Sequence, residues 1–354
     1  MILANKQSKV KIIIRILLLC ILLMVLFIVY NLCEKTFDLN KKYSDDWAVS
    51  NYGQTINNSK GMKGVDINIL PILNSKTDND KVIVAVVDTG VEYNGEALFN
   101  NMYLNVNDPI NGLDDDNNGY KDDYYGWNFY DNNNLLFEDA LYDYHGTYIS
   151  TTIVKIAPNT QILSVKFMRS TLGTVEDAIL AINYAIDRGA KIINCSWNFS
   201  DENQELYNVI KNNPQVLFVC SAGNSNMNLD NDYIFPCNYS LDNIVNVMAI
   251  DNKGTIYEAS GYGKETVHIA SPGVDVKVLL PENEETYISG TSIAAAFVSA
   301  TASRMMSINK NLTPIEIKDI IVSNAHKTDN LRFLCSSGGF IDVASCLNEV
   351  KTFG

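Results

Sequence analysis

The chain has 354 residues, 47% of them hydrophobic and 19% charged, with a formal net charge of −14. That supplies ample apolar material for a large core, and the excess of carboxylates repels a nucleic-acid backbone, so no DNA or RNA partner is expected. The seven cysteines include no Cys-x-x-Cys pair, so the usual zinc-ligand spacing is missing.

The first element is apolar. Lys6, Lys9, Lys11 and Arg15 accompany a run from Ile12 to Tyr30 that approaches the ~20 residues a spanning helix needs. Residues 1–11 are expected to form a short cytoplasmic tail, 12–32 a transmembrane signal anchor, 33–46 a tether and 47–350 the folded body. Basic residues before the run, with Glu34 and Asp38 after it, orient the body outward. The expected location is the cell membrane, single-pass, with an extracytoplasmic body. A cleaved signal peptide is the alternative, although no small-x-small site follows the run.

The body then alternates. Lys81–Asp88 is a β-branched apolar run, read as a strand buried on both faces. Further strands are expected at 161–168, 191–196, 215–220 and 243–250. Residues 174–188 carry Val175, Ala178, Ile179, Ile182, Ala185 and Ile186 on one helical face, and Gly189 can close that helix. A polar helical segment is expected between the strands 191–196 and 215–220. A small-residue helix is expected from Ser292 to Met306. Thr313-Pro314-Ile315-Glu316 reads as a capping box opening a last helix. Alternating strands and helices predict a doubly wound, mainly parallel α/β sheet with helices on both faces.

Three short motifs carry chemistry: Asp88-Thr89-Gly90, His145-Gly146-Thr147 and Gly290-Thr291-Ser292. A serine hydroxyl is a poor nucleophile until a base takes its proton and a third group orients the base. Ser292, His145 and Asp88 supply those roles in that order.

The chain resembles a subtilisin-like serine peptidase, a subtilase, whose Asp…His…Ser order is a known signature. The likeness runs from Trp47 to the helix after Thr313. It includes Asp114 to Trp127, Ala157-Pro158, Ile193-Asn194, Ser221-Ala222-Gly223-Asn224 and Ser271-Pro272-Gly273. The resemblance implies a subtilisin-like fold and a serine endopeptidase acting on peptide or protein substrates through an acyl-enzyme. It needs no cofactor for catalysis. It also implies that Asn224 lends its amide to the oxyanion hole with the backbone N–H of Ser292. Ser196-Trp197-Asn198 and Ser221-Ala222-Gly223 would flank the substrate and hold it as an added strand.

The sequence departs from the family pattern at four places. Tyr148 replaces a second histidine and Thr151 a later glycine. Ala296 replaces a proline after the nucleophile. Asn198 replaces a glycine of the substrate strand, which should narrow or reshape the pocket for the residue before the cleaved bond. Gly95-Glu96-Ala97-Leu98 stands where His-Pro-Asp-Leu is common. These point to processing of a narrow set of extracytoplasmic peptides, or to a catalytically inactive subtilase-like binding module at the membrane. A lipase or esterase fits worse, because Ser292 lacks a Gly-x-Ser-x-Gly setting.

Asp114, Asp116, Asn118 and Asp122 form an oxygen-rich loop suited to calcium as a structural ion, although Tyr125 stands where an EF-hand has glutamate. A solvated turn is the alternative. His268 and His326 are read as structural. Cys335 and Cys346 are read as a disulfide or as two free thiols.

Overall fold

The computed structural model describes residues 18, 20–28, 43–73 and 80–352. The chain divides into two compact units, Met1–Ser44 and Asp45–Gly354. In the first, residues 20–28 are helical. Among the described residues no helix is long and apolar enough to cross a membrane. The rest of the expected anchor, and the tether up to residue 42, lie outside the described residues.

The second unit is built on nine strands. They are β1 Val82–Asp88, β2 Gly126–Asn128, β3 Thr160–Lys166, β4 Ile192–Cys195, β5 Leu217–Ser221, β6 Ile244–Ile250, β7 Ile269–Pro272, β8 His326–Lys327 and β9 Gly339–Phe340. The spatial order is β8-β9-β7-β6-β5-β4-β1-β3-β2. Every pairing is parallel except β8 with β9. β1 is continuously apolar because it is buried in the middle of the sheet.

Six helices accompany the sheet: α1 Ala140–Ile156, α2 Val175–Asp187, α3 Gln204–Lys211, α4 Thr291–Ile308, α5 Pro314–Ser323 and α6 Val343–Thr352. They form two groups over the strands. α1 packs on α4, and α4 lies along β4, β5, β6 and β7; α2 packs on α3 and lies on β1 and β3. This is the expected subtilisin-like α/β layering. Thr174 caps α2, and Gly189 follows its end with φ +85°. The Thr313–Glu316 capping box is formed.

α1 was not legible as a helix. Its middle, Thr147-Tyr148-Ile149-Ser150-Thr151-Thr152-Ile153, is rich in β-branched residues and is buried on every side. It therefore shows no amphipathic stripe. α6, β8 and β9 were also unread; two-residue strands carry no period to detect.

The sheet's winding reverses beside β1. The chain leaves β1 for β2 and β3 on one side, then crosses to β4, β5, β6 and β7 on the other. Open parallel sheets offer a crevice at such a reversal, outside the carboxyl ends of the strands. Asp88 ends β1, Ser196 follows β4, and Ser221 ends β5. One of the three motifs and both segments expected to flank a substrate thus connect to that edge.

Candidate active site

Asp88 is fully buried. Its Oδ1 accepts from the backbone N–H of Thr89 at 2.7 Å and from His145 Nδ1 at 2.7 Å. A carboxylate only accepts, so Nδ1 carries the proton and Nε2 is left to act as base. Two glycines allow this approach. A Cβ on Gly146 would lie 2.1 Å from the Gly90 carbonyl oxygen, and one on Gly90 would lie 2.0 Å from that of Leu136. The backbone of α1 therefore sits directly on the loop that follows Asp88. Thr89 Oγ1 ties the two together by accepting from Gly146 N–H at 3.1 Å.

Sequence reasoning missed what lies beneath. Lys166, at the end of β3 and opposite Asp88 in the sheet register, is fully buried. Its Nζ donates to Asp143 Oδ2 at 2.9 Å and to Glu138 Oε2 at 3.3 Å. Asp143 is also fully buried, two residues before His145. Only a charge of opposite sign makes either burial tolerable. Tyr148, where a second histidine was expected, packs edge-on against the His145 ring with centroids 4.9 Å apart. Burial, and then the nearby Asp88 charge, push its phenol well up, so it stays neutral.

Ser292 lies in the first turn of α4 and is buried. Its hydroxyl donates to the Ser196 carbonyl at 3.3 Å rather than to His145. Catalytic hydrogen bonds often align only when substrate is bound. A buried polar chain holds this corner. Ser299 Oγ donates to Asn194 Oδ1 at 2.8 Å, Asn194 Nδ2 to Ser196 Oγ at 2.8 Å, and Ser196 Oγ to the Ser292 carbonyl at 3.2 Å. Asn224 Oδ1 accepts from the Thr291 N–H at 2.9 Å and from Thr291 Oγ1 at 3.2 Å. A backbone N–H can only donate, so the amide is fixed with Nδ2 directed away from Thr291. Ser292 N–H, in the first helical turn, has no intrahelical acceptor.

The chain belongs to the subtilase family.

The family model described as Subtilase family (Peptidase_S8) matches residues 79–338. The chain is 30% identical over 298 residues to subtilisin-like protease 1 of Plasmodium vivax, covering 75% of this chain and 47% of that protein. It is 31% identical over 257 residues to the thermophilic serine proteinase of Bacillus sp. (strain AK1), covering 69% of this chain and 56% of that one. It therefore spans about half the length of these relatives. A solved structure of the subtilase cytotoxin SubAB aligns with a TM-score of 0.66 at 22% identity, over 79% of this chain and 94% of that one.

The two segments expected to flank a substrate are each tied into the fold by hydrogen bonds. Of Ser221-Ala222-Gly223, the Ser221 carbonyl already accepts from Asn198 Nδ2 and Cys237 Sγ. Ala222 N–H donates to Val247, and the Gly223 carbonyl accepts from Gly261. Trp197 is pinned by its Nε1–H to the Val87 carbonyl at 2.8 Å.

The acidic loop also differs from expectation. The carboxylate oxygens that converge, all within 4.8 Å of one another, belong to Asp108, Asp114 and Asp116. Asp122 turns away and accepts from the N–H groups of Asn111 and Gly112, which hold its carboxyl below the usual range. Asn118 spends its amide on Asp123 and Tyr120. Asp108 escaped notice because it precedes the Asp-x-Asp pattern and is fully buried. Cys335 and Cys346 are free, buried thiols. His326 is exposed, its ring tilted on Phe340.

Proposed function

We propose that this chain is a serine endopeptidase held at a membrane by its N-terminal segment, which processes a narrow set of extracytoplasmic peptides. The observation that carries the reading is the Asp88–His145 bond of 2.7 Å, which leaves Nε2 as base beside a helix-borne Ser292. Ser292 Oγ attacks a peptide carbonyl. His145 takes the proton and returns it to the leaving amine, and water hydrolyses the acyl-enzyme. Asn224 Nδ2 and Ser292 N–H receive the developing oxyanion, helped by the N-terminal end of α4. No metal is needed for these steps. Membrane attachment is supported by the basic flank and apolar run of residues 6–30. The reading includes a structural calcium ion, for which the convergent hard oxygens of Asp108, Asp114 and Asp116 are the candidates.

A fluorophosphonate probe tests the nucleophile. Labelling is expected on the unmutated protein and is lost in Ser292→Ala and in His145→Ala. Folded protein that does not label favours the second reading, an inactive binding module. That reading draws on the Ser292 hydroxyl being held by Ser196.

A further inference from the structure

On the proposed function, the residue before the cleaved bond sends its side chain between the two segments expected to flank the substrate. One is 196–198, whose Ser196 carbonyl touches Ser292 Oγ. The other is 221–223, which runs into Asn224. They continue from adjacent parallel strands, β4 and β5, past the carboxyl edge of the sheet. This space is closed by a side chain. Asn198 reaches across it, donating through Nδ2 to the Ser221 carbonyl at 2.9 Å and to Cys237 Sγ at 3.7 Å. On the far side, Asn198 Oδ1 stands 3.4 Å from where a Cβ on Gly223 would lie, and Ile234 Cδ1 stands 3.0 Å from it. The bridge is itself braced. Cys237 is buried and donates Sγ–H to the same Ser221 carbonyl at 3.1 Å, and burial pushes its thiol well up, so it stays protonated.

We propose that Asn198 is a specificity-determining residue that bars large side chains from the pocket before the cleaved bond, so that this protein cuts after glycine, alanine or serine. The inference rests on the peptidase reading above and names the substrate class of that same site. A leucine or phenylalanine entering the pocket must displace Asn198 and remove one of the two donors, Asn198 Nδ2 and Cys237 Sγ–H, that satisfy the buried Ser221 carbonyl. A methyl or hydroxymethyl group need not reach it. The bridge is a matter of shape and of one amide donor, so it differs from a charge-selective pocket.

The test is cleavage of a proteome-derived peptide mixture by the full-length protein, read by mass spectrometry, with parallel fluorophosphonate labelling. The unmutated protein is expected to cut after Gly, Ala and Ser. In Asn198→Gly, the ratio of kcat/KM for Phe over Ala at that position should rise by about ten- to two-hundredfold, the range that pocket volume commands. Asn198→Ala should give a smaller rise in the same direction. Labelling shows that each variant is folded with its triad intact. Equal cutting after large and small residues by the unmutated protein overturns the proposal, as does an unchanged ratio in labelled variants; both leave the peptidase reading standing. A labelled enzyme that cuts nothing in the mixture also overturns it, because small residues abound there. Failure to label at all removes the peptidase reading, and this proposal with it.

Discussion

Lys166 carries a charge into a place without water. It and Asp143 are both fully buried, 2.9 Å apart, and Asp143 Oδ1 has no hydrogen-bond partner. The pair links the end of β3, which lies against Asp88, to the first turn of α1, which carries His145. Replacing Lys166 by Met should strand the Asp143 carboxylate and lower unfolding stability by about 3–5 kcal/mol, as breaking a buried pair does. Lys166→Met/Asp143→Leu should recover much of that loss, because an apolar pair of similar volume is often neutral. Urea denaturation of the three proteins checks both statements. A single variant as stable as the parent would show that the pair holds nothing. Asp88 and His145, which the structure brings within 2.7 Å of each other, stood out in the sequence as candidates because such groups must be of fixed chemical type beside glycines. Lys166 and Asp143 did not, because they lie 23 positions apart and a lysine at a strand end reads as solvated.

At the scale of elements, the strands β1, β3, β4, β5 and β6 and the helices α2, α4 and α5 were legible within two or three residues. Continuous apolar runs, one amphipathic stripe and one capping box announce them. The loop between β1 and β2 shows why polar segments are harder. Its Asp-rich pattern is compatible with several ligand sets. The choice is made by which carboxylate oxygens converge, as those of Asp108, Asp114 and Asp116 do, while Asp122 faces the N–H groups of Gly112 and Asn111. Arg188 further ties the loop to α2 through Asp116 at 2.9 Å. Calcium is expected to raise the Tm by a few degrees, through the ordinary linkage of binding to folding. Asp108→Asn should abolish that rise, and Asp122→Asn should leave it in place. Calorimetry with calcium and with a chelator distinguishes them. No rise in the parent, or one that survives Asp108→Asn, would place the ion elsewhere or nowhere.

At the scale of the whole molecule, acid stability should depend on one histidine far from the catalytic one. His268 precedes β7, and its Nδ1 accepts from the backbone N–H of Asn246 in β6 at 2.9 Å. Its own N–H returns a bond to the Asn246 carbonyl at 3.0 Å. Protonating Nδ1 would remove the acceptor that joins the two strands there. Burial, and then the Lys318 charge, push the His268 pKa down to about 3 from 6.5. Between those values the unfolded chain holds a proton that the folded one does not, so stability rises with pH across that window. It is fully present above pH ~6.5 and falls as the medium is acidified, by at most about 1.4 kcal/mol per pH unit. Asp230, Asp242 and Glu265 share a cavity of about 390 Å³ with His268 and Lys318. His268→Gln keeps a polar side chain but cannot titrate. Its unfolding free energy, measured from pH 7.5 to pH 4.5, should fall less steeply than the parent's, the two curves converging as the pH drops. Parallel curves would mean that His268 contributes nothing to the acid sensitivity of the fold, which would then rest on the carboxylates alone.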